Sequence, residues 1–114
     1  MSVKFTTRQV GDVTVIDAVG RITLGEGASA FRDKVRELVA GGHKKILLNL
    51  AEVSYIDSSG IGEMVSGYTT VTNQGGVLKL LSLTKRVKDL LQITKLYTVF
   101  EVFEDEATAV RSFA

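Results

Sequence analysis

Apolar and polar residues alternate from the start of the chain. Val3, Phe5 and Thr7 follow a two-residue period, Gly11-Asp12 interrupts it, and Val13 to Val19 resumes a strand-like run. A Gly-Asp pair between two such runs predicts an antiparallel hairpin. From Gly27 the period lengthens. Ala28, Phe31, Val35 and Leu38 fall on one helical stripe with charged residues between them, and Gly41-Gly42 closes that helix with the left-handed turn glycine permits. Lys45 to Leu50 (KILLNL) is nearly continuous apolar sequence, the pattern of a central strand covered by helices.

The stretch YIDSSGIG then reads as a loop leading into a second helix. That helix carries the stripe Ile61, Met64, Val65, Tyr68 and Val71 and is closed by Gly75-Gly76. Val77 to Leu81 predicts another buried strand. Val87, Leu90 and Leu91 mark a third helix starting near Thr84, and Val99 to Phe103 a shorter strand. Asp105 caps a last helix running to Phe113. Strands and helices alternating after an initial hairpin predict an α/β fold, with a mixed β-sheet that is largely parallel and antiparallel at one edge. About four helices pack on that sheet, unevenly on its two faces.

Residues 1–114 are expected to form one domain. The net charge of +1, from 14 basic and 13 acidic residues, is too balanced for nucleic-acid or membrane binding by bulk electrostatics. Without cysteine there is no disulfide or thiolate chemistry. MSVKFTTRQV has no apolar core of signal-peptide length, and no apolar run reaches the ~20 residues that span a bilayer. The expectation is a soluble, cytoplasmic protein.

Candidate chemistry narrows to one motif. The only histidine, His43 in GGHKK, reads as a solvated turn residue, so no Ser-His-Asp set is assembled and no enzyme is expected. One histidine and no cysteine leave no structural zinc site, and the acids lack the spacing of a calcium loop. Lys85, Arg86 and Lys88 read as a solvated basic face. Gly60-x-Gly62 follows a strand and opens a helix, but Val65 occupies the third position of a dinucleotide fingerprint, which leaves a nucleotide-binding module as an alternative.

Ser58 and Ser59 stand where the unpaired N–H groups of a helix start point outward. One serine suffices as an N-cap, worth ~1 kcal/mol. The two glycines that follow weaken the first turn by up to ~1 kcal/mol each, so they read as giving a partner close access to a hydroxyl. A phosphate there would bring roughly −1.5 to −2 charges to a nearly neutral surface and change binding rather than folding.

KILLNL, AEVSYIDSSGIGEMVSGY and NQGGVLKLLSLTKRVKDLLQITKLYTVFEVFEDEATAV together resemble a bacterial STAS domain of the anti-sigma factor antagonist (anti-anti-sigma factor) type. The resemblance spans nearly the whole chain, including GRITLGEGASAFRDKV, and D-S-S-G-[IL]-G after a short apolar strand is its specific signal. It implies a single STAS domain in which the serine after the motif aspartate, Ser58, is phosphorylated, with Ser59 as the cap. The implied partner is an anti-sigma factor of the histidine-kinase-like ATPase fold acting as a serine kinase. The unphosphorylated antagonist binds it and frees the sigma factor, so transcription is regulated by partner switching; a PP2C-type phosphatase resets the phosphorylated form. The partner surface is expected to comprise Asp57, Ser58, Ser59, Gly60, Ile61 and Gly62, extended by Glu63, Ser66 and Gly67 on the second helix. No cofactor, metal, nucleic acid or membrane is expected, and the free protein is expected to be a monomer. Related STAS proteins serve as constitutive scaffolds or transporter-associated subunits, which is the alternative within the family.

Overall fold

A computed structural model describes residues 3–114. The hairpin forms as expected: β1 (Lys4–Val10) runs antiparallel to β2 (Val13–Ile22), with Val10 opposite Val13 across the Gly11-Asp12 turn. The rest alternates: α1 (Glu26–Ala40), β3 (Lys45–Ile56), α2 (Ser58–Asn73), β4 (Val77–Leu81), α3 (Lys85–Ile93), β5 (Val102–Phe103) and α4 (Glu106–Arg111). The strands form one sheet in the order β1-β2-β3-β4-β5, parallel from β2 onward.

The two-residue period of the strands sorts side chains to opposite faces. Ile46, Leu48 and Leu50 of β3 join Ile16 of β2, Leu80 of β4 and the helical stripes of α1, α2 and α3 in the larger core. Leu47 points the other way, into a smaller core with Val13, Val15 and Leu81 that Ala109 and Phe113 cover from the C-terminal segment. Three helices therefore cover one face, and α4 alone covers part of the other.

Several boundaries differ from the sequence pattern. Strand β3 continues beyond Leu50 to Ile56, so most of the predicted YIDSSGIG loop is strand and helix and Asp57 alone joins them. Parallel pairing with β2 extends it, and two register shifts let Val53 and Ile56 face the large core again. Strand β5 is shorter than Val99 to Phe103 because Leu96–Thr98 forms a single 3₁₀ turn and Phe100 is drawn into the core. At the end of α1, Gly41 keeps an ordinary φ of −82° and Gly42, at +85°, makes the left-handed turn.

His43 is half-buried rather than solvated, its Nδ1 2.9 Å from the Thr14 hydroxyl. It precedes β3, at the opposite end of that strand from Asp57. Among the described residues no cluster of histidine, cysteine and carboxylate side chains is arranged to hold a metal, and no helix is long and apolar enough to cross a membrane.

Candidate functional site

Parallel strands leave their carboxyl ends as the place where loops and helix starts converge. Here β2 ends at Ile22, β3 ends at Ile56, and α2 begins at Ser58. The junction residue, Asp57, is extended (φ −105°, ψ −175°) and is itself the N-cap of α2. One carboxylate oxygen accepts from the Gly60 N–H at 2.9 Å, and the other accepts from the Leu24 N–H at 2.9 Å. A single side chain thus ties the β2–α1 loop to the start of α2. Burial raises the affinity of the Asp57 carboxyl for its proton, but the N–H groups of Gly60, Leu24 and Ser59 outweigh it and hold the group below its usual range.

The cap expected from Ser59 is therefore supplied by Asp57. Ser58 is exposed and Ser59 half-buried, and neither hydroxyl has a hydrogen-bond partner among the described residues. The fold makes no demand on either oxygen.

The remaining motif residues divide between surface and interior. Ser58, Gly62 and Ser66 are exposed, and their four-residue spacing lays them along one side of α2. Gly62 has open space where a side chain would begin, which fits the access expected of it. Gly60 does not. It is buried, and a Cβ there would lie 2.2 Å from the Ile22 carbonyl oxygen and 2.6 Å from a side-chain carbon of Ile56, so its missing side chain lets α2 seat against the sheet. Ile61 is 5% exposed and belongs to the core. Gly67 is buried against the Phe31 ring, because α1 and α2 pack closely there. These three lie beneath the surface and not on the partner surface expected from sequence. Glu63 is half-buried and pairs with Arg32 of α1 at 3.2 Å.

The fold adds residues that the motif does not include. A groove of about 510 Å³ runs from Ser58 and Asp57 past Tyr55 to one side of α3, where Arg86, Asp89 and Ile93 line it. Arg86, read from sequence as part of a solvated basic face, lies with its guanidinium carbon 4.6 Å from the Tyr55 ring centroid, and Arg21 of β2 lies 5.0 Å from the same ring. Of the other two cations, Lys85 pairs at 2.9 Å with Asp89, which lines the same groove, and Lys88 borders a separate apolar groove. The spacing of Arg86, Asp89 and Ile93 along α3 marks one helical stripe, a signal available in sequence. That this stripe faces Ser58 follows only from how α3 packs.

Comparison with known proteins agrees with this architecture. The STAS domain family model matches residues 4–109. The anti-sigma-B factor antagonist of Bacillus subtilis is 30% identical over 102 residues, 90% of this chain and 92% of that protein. A crystal structure from Thermotoga maritima, of a protein carrying the anti-sigma factor antagonist name, superposes with a TM-score of 0.88 at 26% identity, covering 96% of this chain and 93% of that one. The phosphorylated form of the Bacillus cell fate determinant SpoIIAA shares the fold, with a TM-score of 0.75 at 20% identity over 97% of this chain and 100% of that one. The matched span takes in the sheet, the large core and the Asp57–Ser58 junction, and on that basis the chain belongs to the STAS domain family.

Proposed function

We propose that this chain is an anti-sigma factor antagonist, a cytoplasmic binding protein switched by phosphorylation of Ser58. The observation that carries the reading is the division of labour at the junction: Asp57 caps the helix, and Ser58 presents an exposed hydroxyl with no structural task. Its relative in Bacillus subtilis bears the same functional name. In the unphosphorylated state the chain binds an anti-sigma factor serine kinase of the histidine-kinase-like ATPase fold, and the sigma factor is released. Ser58, Gly62 and Ser66 offer that partner a strip without bulky side chains, so backbones can approach closely.

Within the complex the γ-phosphoryl group of ATP passes to the Ser58 hydroxyl oxygen, ADP leaves, and the hydroxyl proton goes to a base on the kinase. The product carries roughly −1.5 to −2 additional charges at the strip. Burying an unpaired ion against a partner costs several kcal/mol, and each ~1.4 kcal/mol is a tenfold loss of affinity. A PP2C-type phosphatase, hydrolysing the phosphoester with water, restores the binding form.

The experiment is to capture the kinase from native cells on the unphosphorylated protein and compare variants. Ser58→Ala should bind the kinase but take up no phosphate. Ser58→Asp should bind at least about 10²-fold more weakly, with a Tm within about 2 °C of wild type because the hydroxyl makes no internal bond. Phosphate transferred to another residue, or undiminished binding by Ser58→Asp, refutes the switch.

A further inference from the structure

Two arginines meet at the Tyr55 ring, and one of them, Arg86, lines the groove that holds Ser58. Arg21 and Arg86 both lie over the Tyr55 ring, and among the described residues neither forms an ion pair. The ring face attracts each guanidinium, and among the described residues neither donates a side-chain hydrogen bond, so their donors stay available to an anion. The carboxylates in the groove are already committed. Asp57 accepts from the N–H groups of Gly60 and Leu24, and Asp89 is held by Lys85. Arg86 shares the groove with Ser58, and the planar fork of a guanidinium matches phosphate oxygens in a bidentate contact that a lysine does not reproduce.

We propose that Arg86, steadied on the Tyr55 ring, binds the phosphate of phosphorylated Ser58 within the same chain. This rests on the reading that Ser58 is phosphorylated and specifies what then receives the phosphate. The groove becomes an internal phosphate site, the dianion is partly neutralised, and the phosphorylated form is held in one arrangement.

The test uses full-length protein with phosphoserine incorporated at position 58 by genetic encoding, so no native kinase is required. Phosphorus NMR follows the titration of the phosphate in the wild type, in Arg86→Gln and in Lys88→Gln. The last makes the same charge change on the same helix, at the border of the other groove. A phosphoserine titrates near pH 6, and a guanidinium in contact with the phosphate lowers that value. Arg86→Gln should therefore titrate about 0.5 or more above the wild type, and Lys88→Gln with the wild type. Arg86→Lys, which keeps the charge and loses the fork, should fall between. An unmoved titration in Arg86→Gln overturns the proposal, as does a shift in Lys88→Gln as large as that in Arg86→Gln, because the effect would then be the general field of the helix. Whether native cells phosphorylate Ser58 is decided separately by phosphopeptide mapping. Absence of phosphate there defeats the functional reading, whereas equal titration curves in the NMR experiment defeat only the arginine site.

Discussion

Asp57→Ala removes the one side chain on which two backbone N–H groups depend, at Gly60 and at Leu24. Loss of an N-cap costs about 1 kcal/mol. The bond to Leu24 has a charged acceptor, which places it at about 1.5–3 kcal/mol if buried, but it lies at the surface where water replaces much of it, so about 0.5–1 kcal/mol is the appropriate share. The expected loss is about 1.5–2 kcal/mol. Unfolding entropy of ~2.1 cal/mol/K per residue amounts to about 0.24 kcal/mol/K for a chain of 114 residues, so Tm should fall by about 6–8 °C. Asparagine caps nearly as well as aspartate but has a single acceptor oxygen, so Asp57→Asn should lose about half as much. Ser58→Ala and Ser59→Ala should both unfold within about 2 °C of the wild type, since neither hydroxyl is engaged. The assay is thermal unfolding by circular dichroism at pH 7, repeated toward pH 2. Because the folded Asp57 carboxyl titrates below its unfolded value, the charge-dependent part of its contribution is complete above about pH 4 and is lost as pH falls through the folded value. The gap between wild type and Asp57→Ala should narrow over that window, because a protonated carboxyl keeps its hydrogen-bond acceptor and loses only the part that depends on charge. A Ser59→Ala variant that loses as much as Asp57→Ala would place the cap on the serine and refute the reasoning. So would an Asp57→Ala variant that melts with the wild type.

Gly60→Ala forces a methyl group onto the Ile22 carbonyl and should cost about 2 kcal/mol or more in urea unfolding, whereas Gly62→Ala, with open space at its Cβ, should be neutral or stabilise by up to about 1 kcal/mol. Equal effects of the two would mean that α2 does not seat on β2 as described. On the other sheet face, Arg8 bonds Asp17 at 2.6 Å and Glu106 at 2.5 Å, and both carboxyls are held below their usual range, chiefly by those hydrogen bonds. Their stabilisation is full above about pH 4–5 and lost as pH falls through the folded values, so the Tm of Arg8→Gln should decline less steeply than that of wild type between about pH 4.5 and 2. Parallel pH profiles for the two proteins would show that the network contributes nothing.

Much of the architecture is legible in the chain because it is written in local periods. The stripe Phe31, Val35, Leu38 can only be buried as a helix, and Ile46, Leu48 and Leu50 face one core because a strand turns alternate residues to the same side. Thr84 and Asp105 cap where the sequence places them, since capping is settled within a few residues. What sets the Asp57-to-Gly62 segment apart is equally local, a polar and glycine-rich break between two apolar runs.

What the chain does not announce depends on residues far away along it. Ala51 and Glu52 interrupt the apolar run after Leu50, and only pairing with Val19 to Ile22 carries β3 onward to Ile56. Asp57 rather than a serine is the cap because that pairing ends one residue before it and the Leu24 N–H, brought by β2, meets its second oxygen. Gly60 and Gly62 are identical in sequence and opposite in role, since the Ile22 carbonyl lies against one and solvent against the other. Arg86 joins the site only through the packing of α3 beside β3, which no local period encodes. Local sequence determines which segments form and where their ends are marked. The tertiary structure decides which of those marked residues are left free to meet a partner, because freedom at a surface is set by what the rest of the chain has already covered.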